Sequence, residues 1–277
     1  MKHAIMVIGH GKSDILQQTI DHLDDDDIDF YIHWDKKDAL PFLHSKCSKI
    51  KFDSYRRKVS WGTDSLVLVE NSLMSLVNSS CTDYDYVHLI SANDIPLMTK
   101  KYFKNFFIKD AYLSFSKDVT AEDRHRIQWY YPIRSLNVRT VIGYQIILKP
   151  IIFFNRLIGI NRLKTNFHVE KGAQWFSLRS RLVSEVLKYP NLGSFLHSYL
   201  ADEVYIQSIL HRYKPLNFTE KIENPKMAAR YIDWKRGTPY VFQLSDVQEL
   251  KKLIDTDYAF VRKVTDTRLM SQLFGEF

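Results

Sequence analysis

Tyr84-Asp85-Tyr86-Val87-His88-Leu89-Ile90-Ser91-Ala92-Asn93-Asp94-Ile95-Pro96-Leu97 is the stretch that decides the fold. Val87 to Ile90 is a short apolar run bounded by Ser, Asn and Pro, the pattern of a strand buried on both faces of a parallel sheet. The polar loop that follows presents Ser91, Asn93 and a single carboxylate, Asp94, at the strand's end. Open α/β sheets hold their ligands there, outside the carboxyl ends of the strands.

Working outward, Ala4 to Ile8 reads as a first strand, followed by the loop Gly9-His10-Gly11-Lys12. A helix is predicted from about Asp14 to His22, with Ile15, Leu16 and Ile20 on one face. Phe30 to Trp34 is a second strand ending in Asp35-Lys36-Lys37, and Lys51-Phe52 a short third. Ser60 to Ser65 offers several caps for a helix over Leu66 to Val77. The acidic run Asp24 to Asp27 reads as a solvated turn. Downstream, Ala111 to Phe115 and Gln174 to Leu178 are further strands, and a helix begins near Asp202. Strands alternating with helices indicate βαβ units and a mainly parallel central sheet flanked by helices. No Gly/Pro/Ser-rich linker interrupts the chain, which predicts a single domain with a C-terminal extension.

The 277 residues, 45% of them hydrophobic, can bury a sizeable core, which excludes a disordered chain. The formal charge of +7 favours anionic partners such as phosphates and nucleotides. Cys47 and Cys81 give neither a disulfide framework nor metal-ligand spacing; they are expected in the core of a protein from a reducing, cytoplasmic setting. The apolar run near the N-terminus is too short for the core of a signal peptide. Thr140 to Ile160 has the length of a membrane span but is broken by Lys149, Pro150, Asn155 and Arg156. Arg134, Arg139, Arg162 and Lys164 flank it. Two readings fit: a basic amphipathic element lying on a membrane surface, or an apolar helical hairpin packed on the domain.

Three further segments carry chemistry. Asp202 and Glu203 stand together at a predicted helix start. Asp202 suits the capping position, which leaves Glu203 to accept a proton. Gly172 to Leu178 combines an amide, Gln174, with the aromatic Trp175 and Phe176, a pairing suited to the polar and apolar faces of a sugar. Arg230, Lys235 and Arg236 cluster around Tyr231 and Trp234, and Arg262 and Lys263 add two more cations. A diphosphate leaving group needs its developing charge compensated by a metal or by fixed cations. Asp94 is the single carboxylate after the central strand. Asp83-Tyr84-Asp85 lies at the other end of that strand and Asp255-Thr256-Asp257 in a later connection.

His88 to Leu97 resembles the signature strand and loop of the core-2/I-branching and peptide O-xylosyltransferase glycosyltransferases. Tyr31 to Lys37, Val59 to Ser65, Gly172 to Leu178, Asp202 to Ser208, Arg230 to Trp234 and Phe260 to Lys263 are similar to further segments of that family, in the same order over nearly the whole chain. The resemblance implies a GT-A-like, Rossmann-like nucleotide-sugar fold and an inverting transfer that uses a glutamate base and no metal cofactor. Carried onto this chain, Glu203 is the base, and Lys263 with Arg230 or Arg236 holds the diphosphate. Ile8, His10, Asp35 and Trp61 line the nucleotide pocket, while Asn93, Asp94, Gln174, Trp175 and Asp202 face the donor or acceptor sugar. Residues 1–110 are then the nucleotide-binding half. Residues 111–277 form the acceptor and catalytic half, with a C-terminal diphosphate-binding segment. The expected donor is a UDP-sugar carrying GlcNAc, glucose or galactose. The expected acceptor is a glycan, lipid-linked forms included, in bacterial surface polysaccharide synthesis at the inner face of the cell membrane. The chain lacks the multiple cysteines of animal members, which points to a bacterial setting. Two rival readings are a nucleic-acid-binding protein, disfavoured by the scatter of the basic residues, and a peripheral membrane protein with an inactive sugar site.

Overall fold

The computed structural model describes residues 1–134, 136, 138, 144–163, 167–216 and 226–275. Its centre is a six-stranded sheet in the order β3-β2-β1-β4-β7-β6. These strands are β1 (His3–Gly9), β2 (Ile28–Trp34), β3 (Ile50–Phe52), β4 (Tyr86–Ser91), β6 (Ala111–Tyr112) and β7 (Ser177–Arg179). The four strands from β3 to β4 run parallel, whereas β7 and β6 join antiparallel. The apolar runs of β1, β2 and β4 are buried along their whole length, as expected of strands covered on both faces.

Alternation along β1 divides the core in two. Ala4, Met6 and Ile8 pack with α2 (Ser65–Asn78) and α6 (Ser180–Leu187), while Ile5 and Val7 face α1 (Asp14–Leu23) and α3 (Lys100–Phe106). Because β1 pairs with β2 on one side and β4 on the other, the order of connection reverses there, and a crevice opens at their carboxyl ends.

A second sheet has the order β5-β9-β8, built from β5 (Asp94–Pro96), β8 (Arg230–Ile232) and β9 (Phe260–Arg262). The sequence reading placed Asp94 to Pro96 in a loop and treated the C-terminal region as an appended extension. Instead β9 pairs antiparallel with β5, setting Arg262 opposite Asp94. The last helices, α8 (Val247–Lys251) and α9 (Arg268–Phe274), close over this sheet together with Ile15 of α1.

Other expectations change as well. Cys47 and Cys81 are exposed. The acidic run is a clamp: the Asp24 carboxylate accepts the backbone N–H groups of Lys46, Cys47 and Ser48, and Lys104 bridges Asp25 and Asp27. Within the Thr140 to Ile160 segment, a π-helical stretch Tyr144–Leu148 runs into α5 (Lys149–Leu157). Thr140 and the flanking Arg139 and Lys164 lie outside the described residues. Among the described residues no helix is long and apolar enough to cross a membrane.

Gly9 closes β1 directly beneath Trp34. A Cβ there would lie 2.2 Å from Trp34 Cζ3, and the indole is fully buried, so it has no room to retreat. Gly9→Ala should therefore lower stability by about 1–3 kcal/mol. Urea denaturation with an unchanged midpoint would show that the close approach is not needed.

Candidate active site

The carboxyl ends of β1, β2 and β4 begin a ring of contacts that closes on itself. Asp35 N–H donates to Gly9 O (2.8 Å), and Val59 N–H reaches the Asp35 carboxylate (3.3 Å). From Val59 the chain passes Trp61 to Gly62, whose carbonyl accepts Leu200 N–H (2.9 Å). Leu200 leads to Asp202 and Glu203, and Glu203 O accepts Gly172 N–H (2.9 Å). From Gly172 the chain passes Gln174 to Trp175, over whose ring lies the Arg262 guanidinium at 4.3 Å. Arg262 pairs with Asp94 (2.9 Å), Asp94 accepts Ser91 N–H (2.8 Å), and Ala92 N–H returns to Ile8 O (3.1 Å). Three residues of chain span at most about 11 Å, so the Glu203 backbone and the Trp175–Arg262 stack belong to the same end of the molecule.

Of the sequence-predicted nucleotide set, Ile8 and Asp35 make contacts of this ring, and His10 and Trp61 adjoin it along the chain. Ile8 is nearly buried in β1, and His10 is exposed just beyond it. Asp35 is buried; its carboxylate also accepts Lys37 N–H (2.9 Å) and pairs with Lys37 Nζ (3.2 Å). Trp61 is 44% exposed, the open aromatic face of this side. Asn93 is held by a reciprocal pair with Val264, whose N–H donates to Asn93 O (2.9 Å) while Asn93 Nδ2 donates to Val264 O (3.2 Å). That pair fixes the half-buried Lys263, one residue earlier, beside the Asp94 turn.

The two arginines proposed from sequence have their guanidinium groups committed within the fold. Arg230 is 1% exposed, and its guanidinium donates to Phe176 O (2.6 Å), Ala228 O (2.9 Å), Leu89 O and Ser177 Oγ (3.2 Å each). Burial pushes its pKa down to about 9. It is a core cross-link between the two sheets. Arg236 is bound to three carboxylates, Asp233, Asp246 and Glu249. The arginine of the basic C-terminal segments that joins the ring is Arg262, whose bonds to Asp94 Oδ1 and Ser91 Oγ both run through Nη1. The sequence showed Arg262 only as one more basic residue. Its pairing with Asp94 depends on a strand register that sequence does not reveal.

Trp175 also differs from expectation. It is only 9% exposed and carries Arg262 on one face, so that face is no open platform for a sugar. Gln174 turns inward and donates to Glu70 Oε1 (2.7 Å) on α2. Gly172 allows this segment its path, since a Cβ there would fall 1.9 Å from Ser114 O.

Asp202 and Glu203 lie on a 3₁₀ turn, Ala201–Glu203, ahead of the short α7 (Tyr205–Ile209), and neither side chain caps it. Asp202 is buried with Oδ1 unpartnered, and burial first, then the neighbouring Glu203, pushes its pKa up to about 7. Glu70 is fully buried with Oε2 unpartnered; desolvation and then Asp202 raise it well above the usual carboxylate range, against the Gln174 hydrogen bond. Glu203 is more open, with a side chain 36% exposed, and it is oriented by Arg126 Nη1 at 2.6 Å. Arg126 sits on α4 (Ala121–Gln128) and in turn faces Asp123, which Lys171 also pairs at 2.9 Å. Neither Arg126 nor Glu70 was marked by the sequence, because each lies on a helix that reads as ordinary.

A cavity of about 370 Å³ lined by Tyr102, Asn105, Phe106, Lys109 and Tyr112 lies elsewhere. Tyr86 at the start of β4 donates to Lys109 O (2.8 Å), which puts that cavity at the amino end of the strands, opposite the rim. Among the described residues no group of three or more His, Cys, Asp or Glu is arranged to hold a metal ion.

The family model described as Core-2/I-Branching enzyme matches residues 4–252. No curated protein matches the chain.

An acid whose folded pKa lies above its unfolded value stabilises the fold most at low pH. For Asp202 that contribution is complete below about 4 and is lost as the pH rises to about 7. Asp202→Asn stays neutral throughout. It should therefore gain stability relative to the parent at pH 8 and not at pH 4, read as the difference in Tm. An equal shift at both values would mean that Asp202 is not held as the acid.

Proposed function

The chain belongs to the Core-2/I-Branching enzyme family, a family of glycosyltransferases that act on glycans, and from that premise we propose an inverting transfer from a UDP-sugar to a glycan hydroxyl. Glu203 removes the proton from the acceptor hydroxyl, and the oxygen attacks the anomeric carbon from the face opposite the phosphate. The bond from that carbon to the phosphate oxygen breaks, and its electron pair leaves with the nucleoside diphosphate. One displacement inverts the configuration. Residues 1–110 supply the nucleotide side of the site and residues 111–277 the acceptor and catalytic side.

The observation that carries this reading is the common rim. Glu203 is the most open carboxylate of the Glu70, Asp202 and Glu203 group, and the same ring of contacts includes Arg262, next to Lys263. Lys263 and Arg262, and not Arg230 or Arg236, compensate the leaving diphosphate, because the last two spend their donors on carbonyls and carboxylates. One well-placed donor is worth about 2.7–4 kcal/mol of transition-state stabilisation. Asp94 supports a reaction that needs no divalent ion: it is the single carboxylate after β4, and Arg262 and Ser91 already occupy it. Asp35 and Trp61 hold the nucleoside. UDP-GlcNAc, UDP-glucose and UDP-galactose are the donors to try first, with glycans of bacterial surface polysaccharide as acceptors.

Glu203→Gln should cut kcat by about 10²- to 10⁴-fold while leaving the Kd for UDP nearly unchanged; turnover at the parental rate would remove Glu203 from the role. Lys263→Ala should instead weaken UDP binding in calorimetry. Excess EDTA should leave the rate intact, and a strict requirement for Mn²⁺ or Mg²⁺ would contradict compensation by side-chain cations.

A further inference from the structure

Away from the rim, α5 is apolar on two sides. Its inner side, Leu148, Ile151 and Ile152, packs with Trp129, Tyr131 and Ile133. Asn155 locks it in place, accepting Tyr130 N–H (2.9 Å) and donating to Tyr130 O (3.0 Å). Its outer side and the residues around it carry Ile146, Phe153, Phe154, Leu157 and Ile158, each 57–68% exposed. A contiguous exposed apolar patch marks an interaction surface.

Charge identifies what covers it. Residues 124–169 contain eight Lys or Arg and no Asp or Glu; Arg126 and Arg134 among them are paired with Glu203 and Asp64. Lys149 and Arg156 are exposed within the patch itself. Two copies of the chain meeting patch to patch would bring these cations together, which is unfavourable. An anionic bilayer complements both features, taking the apolar side chains into its interface and the cations among its phosphates. The helix is too short to cross a membrane. We propose that this face docks the protein on an anionic lipid bilayer, with Phe153, Phe154 and Leu157 entering the interface and Lys149 and Arg156 meeting the headgroups.

The patch is built onto the acceptor side of the rim. Tyr131 N–H donates to His197 O (2.8 Å), Tyr199 N–H donates to Arg126 O (2.9 Å), and Arg126 holds Glu203. An acceptor glycan carried on lipid would thus reach the base from the docked face, an extension that rests on the transferase reading.

Flotation of the full chain tests the proposal, using vesicles of phosphatidylcholine alone or mixed with phosphatidylglycerol. The protein should float with the mixed vesicles and not with the neutral ones, and high salt should weaken the association. Phe153→Ser combined with Leu157→Ser, and separately Lys149→Glu combined with Arg156→Glu, should each lower partition by about tenfold or more. Both variants should keep the parental rate on a soluble acceptor. Absence from the mixed vesicles, equal flotation of the variants, or a dimer in sedimentation that Phe153→Ser and Leu157→Ser abolish would overturn it. A protein that floats but transfers no sugar would sink the transferase reading alone; one that transfers but does not float would sink the docking alone.

Discussion

The Asp94–Arg262 pair, laid against Trp175, is the contact on which the rest of the site depends. Asp94 is 1% exposed, and a carboxylate so far from water needs donors on every side. It has Ser91 N–H, Ser91 Oγ and Arg262 Nη1. Breaking a buried pair by removing one partner costs about 3–5 kcal/mol. The pair joins three pieces of chain distant in sequence: the end of β4, the last strand β9, and the segment that runs from Trp175 back to Gly172 and Glu203. It ties the large sheet, the small sheet and the segment leading to Glu203 together at the strand ends, as the Arg230 cross-link does deeper in the core.

The central architecture was legible because it depends on local pattern. The apolar runs of β1, β2 and β4 are long enough to declare strands, and their alternation with α1 and α2 implies parallel pairing. Ser91 to Asp94 at the end of β4 pointed correctly to the edge where the contacts converge. The small sheet was not legible, since its strands are three residues long and leave no local periodicity, β5 lies more than 160 positions from its partner β9, and Pro96 argues against a strand. Its pairing also explains the error over the arginines. Arg230, Arg236 and Arg262 are equivalent as letters. What separates them is that one is enclosed between two sheets, one is surrounded by carboxylates, and one meets Asp94 across a strand pair.

The acidic residues carry a similar lesson. Asp202 and Glu203 are neighbours, and sequence assigned capping to one and proton transfer to the other. The 3₁₀ turn leaves Asp202 uncapped, enclosed near Glu70 and inclined to keep its proton, while Glu203 points outward to Arg126. The two carboxylates do differ, but the cause is burial and not helix-end hydrogen bonding. Arg126 then ties that carboxylate to α4 and, through Tyr199 and Tyr131, to the layer beneath the exposed aromatic face. One short helix, α4, thus links Glu203 to the layer that carries the exposed apolar face.

Hydrogen–deuterium exchange with and without UDP tests the central claim most directly, that the ring around the carboxyl edge receives the donor. Protection is expected at the backbone amides of residues 9–11, 35–38, 59–62 and 262–264, with none at residues 105–112 around the cavity on the far side. Protection confined to residues 105–112, or spread evenly over the chain, would contradict the account.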